Sequence, residues 1–96
     1  DQIQEYAPKA EVLLISPIYL GKKVWQEEYD QEFSRESVTV SRNLQPVYEK
    51  IARDRQIEFL PAADHVKCCE ADQEHLNAEG HKKFAEVVYR KLQKLL

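Results

Sequence analysis

A chain of 96 residues is one domain's worth, since single domains usually run to about 100–150 residues, and it excludes two packed ones. Hydrophobic residues make up 43% and charged ones 32%, with two glycines and four prolines, the balance of a folded globular chain rather than a disordered or fibrous one. Fourteen Lys and Arg against 17 Asp and Glu leave a net charge of -3, so no broad basic face is available for nucleic acid.

In chain order, residues 1–10 are polar, with Ile3 and Tyr6 at helical spacing and a stop at Ala7-Pro8, which predicts the tail of a helix. Val12-Leu13-Leu14-Ile15-Ser16 is a short apolar run closed by Pro17, the pattern of a buried strand in a parallel sheet. No apolar run comes near the roughly 20 residues that cross a bilayer, and no targeting segment is visible. From Gly21 to Glu36, Trp25, Tyr29 and Phe33 fall four apart and predict one face of a short helix. The stretch 37–55 places Val40, Leu44, Val47, Tyr48 and Ile51 on an apolar stripe, with Pro46 inside it either kinking one helix or starting a second.

Ile57-Glu58-Phe59-Leu60, ending at Pro61, predicts a second strand, and 62–74 a loop. Asn77 can cap a last helix whose apolar positions are Phe84, Val87, Val88, Leu92 and Leu95 and whose basic residues gather toward the carboxyl end. Strand, helix, strand, helix is the order of an α/β layer with a parallel sheet and right-handed crossovers. Two strands are nevertheless few for a run as apolar as Val12 to Ile15, which normally has neighbours on both sides.

Reactive side chains are densest before the last helix, at His65, Cys68, Cys69, Asp72, His75 and His81. A carboxylate three residues before a histidine can reach its Nδ1, fix the tautomer and leave Nε2 free to accept a proton. Asp72 and His75 are the candidate catalytic residues on this ground.

Asp72-x-x-His75-Leu76, followed by Gly80-His81 at the head of the last helix, resembles the final motif of the SGNH, or GDSL-type, serine hydrolases. The approach through Ala7-Pro8 to a strand ending in Ser16-Pro17, and the strand at Ile57 to Leu60, are similar to that family's fourth and fifth strands. The resemblance spans essentially the whole chain. It implies part of a three-layer αβα sandwich with a parallel, flavodoxin-like sheet, here two strands and their flanking helices, with residues 1–96 as the C-terminal portion of one SGNH-like domain. It further implies hydrolysis of a small acyl ester, with His75 as general base and acid and Asp72 orienting it. No cofactor or metal is implied.

The family's nucleophile motif is not found. Ser16, Ser34, Ser37 and Ser41 have no glycine-rich elbow, and Gly21 and Gly80 are the only glycines. Pro61 also stands where many members have an acidic or small residue. The expected partner is therefore an N-terminal half supplying the serine and oxyanion hole, and the chain alone is expected to be inactive. The open edge of the first strand predicts self-association.

Two other readings compete. One is a non-catalytic α/β interaction module that merely keeps the Asp-x-x-His sequence. The other is a metal-binding module using His65, Cys68, Cys69, Asp72 and His75, which adjacent cysteines suit poorly because zinc clips usually separate their thiolates by two to four residues. The cysteine pair itself reads as inert, and His81 as structural. Trp25, Tyr29 and Phe33 read first as packing, with the sharper expectation that their segment borders a substrate pocket beyond the strand ends.

Overall fold

The computed structural model describes residues 2–96; Asp1, included in the expected helix tail, lies outside them. The chain runs α1 (Gln2–Tyr6), β1 (Leu13–Ser16), α2 (Arg35–Arg55), β2 (Glu58–Pro61), a 3-10 turn (Ala62–Asp64) and α3 (Ala78–Leu95). β1 and β2 pair in parallel, with Leu13 opposite Glu58 and Ser16 opposite Pro61. The α/β class, the parallel sheet and the flanking helices are as expected from the sequence.

Parity along the strands sorts the two faces. Leu13, Ile15, Glu58 and Leu60 share one side of the pleat. That side meets α3, since Lys91 Nζ lies 3.3 Å from Glu58 Oε2 and Phe84 shares a cavity wall with Ile15. The other face is left to α2, which packs across both strands and carries the buried Ser41 and Ala52.

α2 is one helix. Pro46 sits inside it without ending it, leaving the Arg42 carbonyl as the acceptor that an amide at 46 would otherwise have used. Its start is fixed by Ser34, whose backbone N–H donates to Ser37 Oγ at 3.0 Å, and its end by Gln56 in the left-handed region at φ 57°. The expected apolar stripe is only partly used: Leu44 and Tyr48 are half-buried, whereas Val40, Val47 and Ile51 face solvent.

The expected helix over 21–36 does not form up to its last residues. Val24, Gln26, Tyr29 and Phe33 each donate to the carbonyl three residues back, so the segment is a string of tight turns. Asp30 Oδ1 takes the Glu32 N–H at 3.0 Å, a local bond that competes with helix propagation. Trp25 Nε1 donates to Lys22 O at 2.9 Å, and Arg35 stacks over its ring at 4.4 Å.

The apolar core is small: Val24, Ala52, Leu60, Ala62 and Val66 are the buried hydrophobic residues. The accessible surface is 7338 Å², against about 5700 Å² for a compact monomer of 11.3 kDa. The radius of gyration is 15.5 Å, where about 12.5 Å is usual at this length. Large apolar side chains, among them Val40, Val47, Ile51 and Tyr89, account for part of the excess.

Candidate active site

The loop from Cys69 to His75 is a closed turn tied at its base by the Cys69 N–H, which donates to the His75 carbonyl at 2.7 Å. Inside it, Asp72 divides its work between two oxygens. Oδ1 holds the backbone, accepting from Glu74 N at 2.9 Å and His75 N at 3.0 Å, and from the Cys69 thiol at 3.2 Å. Oδ2 holds the ring, lying 2.7 Å from His75 Nδ1.

The structure thus brings the two sequence-predicted site residues together. The Glu74 and His75 backbone amides, then the His75 ring, hold the Asp72 carboxyl well below the usual carboxylate range. Reciprocally, the hydrogen bond and charge of Asp72 raise His75 above its ordinary value. Among the described residues Nε2 makes no hydrogen bond, and the side chain is 75% exposed. A ring fixed through one nitrogen and open at the other can accept and return a proton.

His75 faces an open cavity of about 390 Å³ with an almost wholly apolar wall that includes Ile15, Ile18, Leu76 and Phe84. It lies at the carboxyl ends of the parallel strands, where α/β sheets place their ligands. Ser16, the last residue of β1, is also in this wall. It is 1% exposed, and its Oγ is buried without a hydrogen-bond partner among the described residues. An unmet buried hydroxyl costs about 1–3 kcal/mol.

Sequence reasoning missed the residue that seats the loop. Gln73 is 4% exposed and holds φ 62°. Its carbonyl accepts from Gly21 N at 2.7 Å, its Oε1 from Lys23 N at 3.2 Å, and its Nε2 donates to the Glu70 carbonyl at 3.2 Å. Gly21 fits only because it has no side chain: a Cβ there would lie 2.0 Å from Gln73 Oε1 and 2.8 Å from Gln73 Cβ. The Asp30 carboxyl of the same upstream segment, beside Glu74, raises the Glu74 carboxyl above its ordinary value. The 21–33 segment therefore supports the loop from outside, and Trp25, Tyr29 and Phe33 do not line the His75 cavity.

The donor set weighed for a metal is not assembled. The group of close donors among the described residues is Asp72, Glu74 and His75, within 4.8 Å of one another, and His75 Nδ1 in it is already engaged by Asp72. Both cysteines are free thiols, and burial pushes Cys68 up, away from thiolate chemistry. His81 sits in the first turn of α3 against the cavity, its ring without a hydrogen bond among the described residues. Asn77 caps that helix, Oδ1 accepting from Gly80 N at 2.8 Å. No described helix is long and apolar enough to cross a membrane.

No family model and no curated protein matches the sequence. Solved structures do match in fold. One crystal structure aligns with a TM-score of 0.84 over 94% of this chain and 40% of its own length, at 27% identity. A carbohydrate acetylesterase from Sinorhizobium meliloti aligns at 0.76 over 90% of this chain and 39% of its own, at 24% identity. A protein from Agrobacterium tumefaciens described as an arylesterase aligns at 0.72 over 99% and 47%, at 22% identity. The chain spans less than half of each of these structures, and over that span it has the α/β fold that the two esterase-described proteins share.

Proposed function

We propose that this chain is the C-terminal portion of an SGNH-type serine hydrolase domain and supplies the acid-base half of its catalytic triad. The observation that carries the reading is the 2.7 Å bond between His75 Nδ1 and Asp72 Oδ2, with Nε2 left open beside an apolar cavity at the strand ends. The esterase-like fold supports it, as does a surface larger than a compact monomer of this mass needs. The unmet Ser16 hydroxyl and the free edge of β1 are places for the rest of the domain to make contact.

In the complete site a serine hydroxyl from that remainder attacks the ester carbonyl, and His75 Nε2 takes its proton as the O–C bond forms. The same proton passes to the departing alcohol oxygen, leaving an acyl-serine. Water then attacks the acyl carbonyl with His75 again as base, the bond from the acyl carbon to the serine oxygen breaks, and the proton passes from His75 back to that oxygen as the acid leaves. Asp72 keeps the tautomer and stabilises the imidazolium at each stage without itself taking a proton.

Complementation tests this. The chain is mixed with the segment that carries the serine and oxyanion hole, and p-nitrophenyl acetate hydrolysis is followed. Hydrolysis should require both pieces and fall by about 10³-fold or more with His75→Ala. Undiminished hydrolysis with His75→Ala would sink the assigned role.

A further inference from the structure

A second cavity, of about 600 Å³, is lined by Gln73 and not by Asp72 or His75. Three separate parts of the chain wall it: the segment after β1, the middle of α2, and the loop after β2. Each brings cations, namely Lys22 and Lys23, Arg42, and Lys67. None of the four is in an ion pair among the described residues, although the chain carries 17 carboxylates and a net charge of -3. Glu70 is the acidic residue in the wall, and its Oε2 already accepts from Gln73 Nε2 at 3.3 Å.

Four exposed cations thus line one cavity without a carboxylate partner among the described residues, and an anion seated there would take charge-assisted hydrogen bonds from them. The Arg42 guanidinium carbon lies 4.8 Å over the centre of the Tyr19 ring, and a guanidinium can give an oxyanion two parallel hydrogen bonds. Leu20 and Val66 add apolar wall beside it.

We infer that this cavity binds the carboxylate or phosphate group of a small molecule. The binding claim needs no nucleophile. Only its extension rests on the hydrolase reading: there the anionic group is a remote handle of the ester, with Gln73 shared between the handle's cavity and the turn that carries His75. The substrate class becomes acyl esters of small molecules that carry a carboxylate or phosphate.

The test is amide NMR titration of the 96-residue chain at low ionic strength, with inorganic phosphate, glucuronate and glucose as separate probes. Saturable shifts at Gly21, Lys23, Lys67 and Gln73 are expected with one or both anions and not with glucose. Which anion binds tells phosphate from carboxylate. Exchanging Arg42→Gln and Lys67→Gln together removes two exposed charges, and should weaken binding about tenfold or more. Shifts elsewhere only, equal shifts with glucose, or unchanged affinity in the double variant would each overturn the inference. Because no turnover is read, a negative result here leaves the His75-dependent hydrolysis test standing, and loss of that test leaves anion binding standing.

Discussion

The contact between Gly21 and Gln73 allows the support of the Asp72–His75 turn to be measured directly. Gly21→Ala puts a methyl 2.0 Å from Gln73 Oε1, 2.5 Å from Cδ and 2.8 Å from Cβ, so turning the end of the side chain aside does not relieve the clash. Overpacking of this kind costs about 1–3 kcal/mol. Losing the bond from Lys23 N to Oε1 adds about 0.5–1.5, for about 2–4 kcal/mol in all. Gln73→Gly removes the same bond and those to Glu70, but relieves a left-handed backbone by about 1 kcal/mol, for a net cost of about 1–3. Gln73→Ala keeps the φ of 62° and should be about 1 kcal/mol worse than Gln73→Gly. In the Gln73→Gly background the three atoms nearest the new methyl, all in the Gln73 side chain, are gone, so the double variant should be little less stable than the worse single. The coupling is then at least about 1–2 kcal/mol. Urea denaturation followed by far-UV circular dichroism, with unchanged m-values, reads all four corners of the cycle. A Gly21→Ala cost that is the same in both backgrounds would refute the clamp.

The Asp72–His75 bond sets a pH dependence with a definite sign. His75, raised above 6.5, adds stability that is full below that value and fades as pH climbs through its folded value; Asp72, lowered from 3.8, adds stability present above that value and lost as pH falls through its folded one. The stability difference between wild type and Asp72→Asn should therefore be widest between those two ordinary values, and NMR titration of the ring should show His75 dropping in the variant. A difference that is flat with pH, or an unmoved His75, would contradict the geometry. Asn77→Ala removes the cap bond to Gly80 N and should cost about 1 kcal/mol by the same urea assay. Sedimentation velocity should show concentration-dependent self-association, driven by the free edge of β1 and the exposed side chains of α2, and a monomer throughout would count against it.

What could be read from the sequence follows the range of each signal. β1, β2 and α3 were legible because an apolar run closed by Pro17, an alternation closed by Pro61 and the Asn77 cap are all local. The Asp72–His75 pair was legible for the same reason, three residues being a distance the chain itself fixes. Gln73 was not: a glutamine in a loop has no period, and its role exists only because Gly21 and Lys23 come to meet it from far upstream. The aromatic spacing at Trp25, Tyr29 and Phe33 misled because turns of three residues, anchored by Asp30 and by the approach to Gln73, outcompete a helix with acidic residues crowded along it. The stripe on α2 is the most informative disagreement. Val40, Val47 and Ile51 have the helical spacing of a packed face and yet stand in water. Periodicity records what a helix is built to bury, while exposure records what it has met. At this face the two differ, and they differ in the same way at the free edge of β1 and at the Ser16 hydroxyl beside His75.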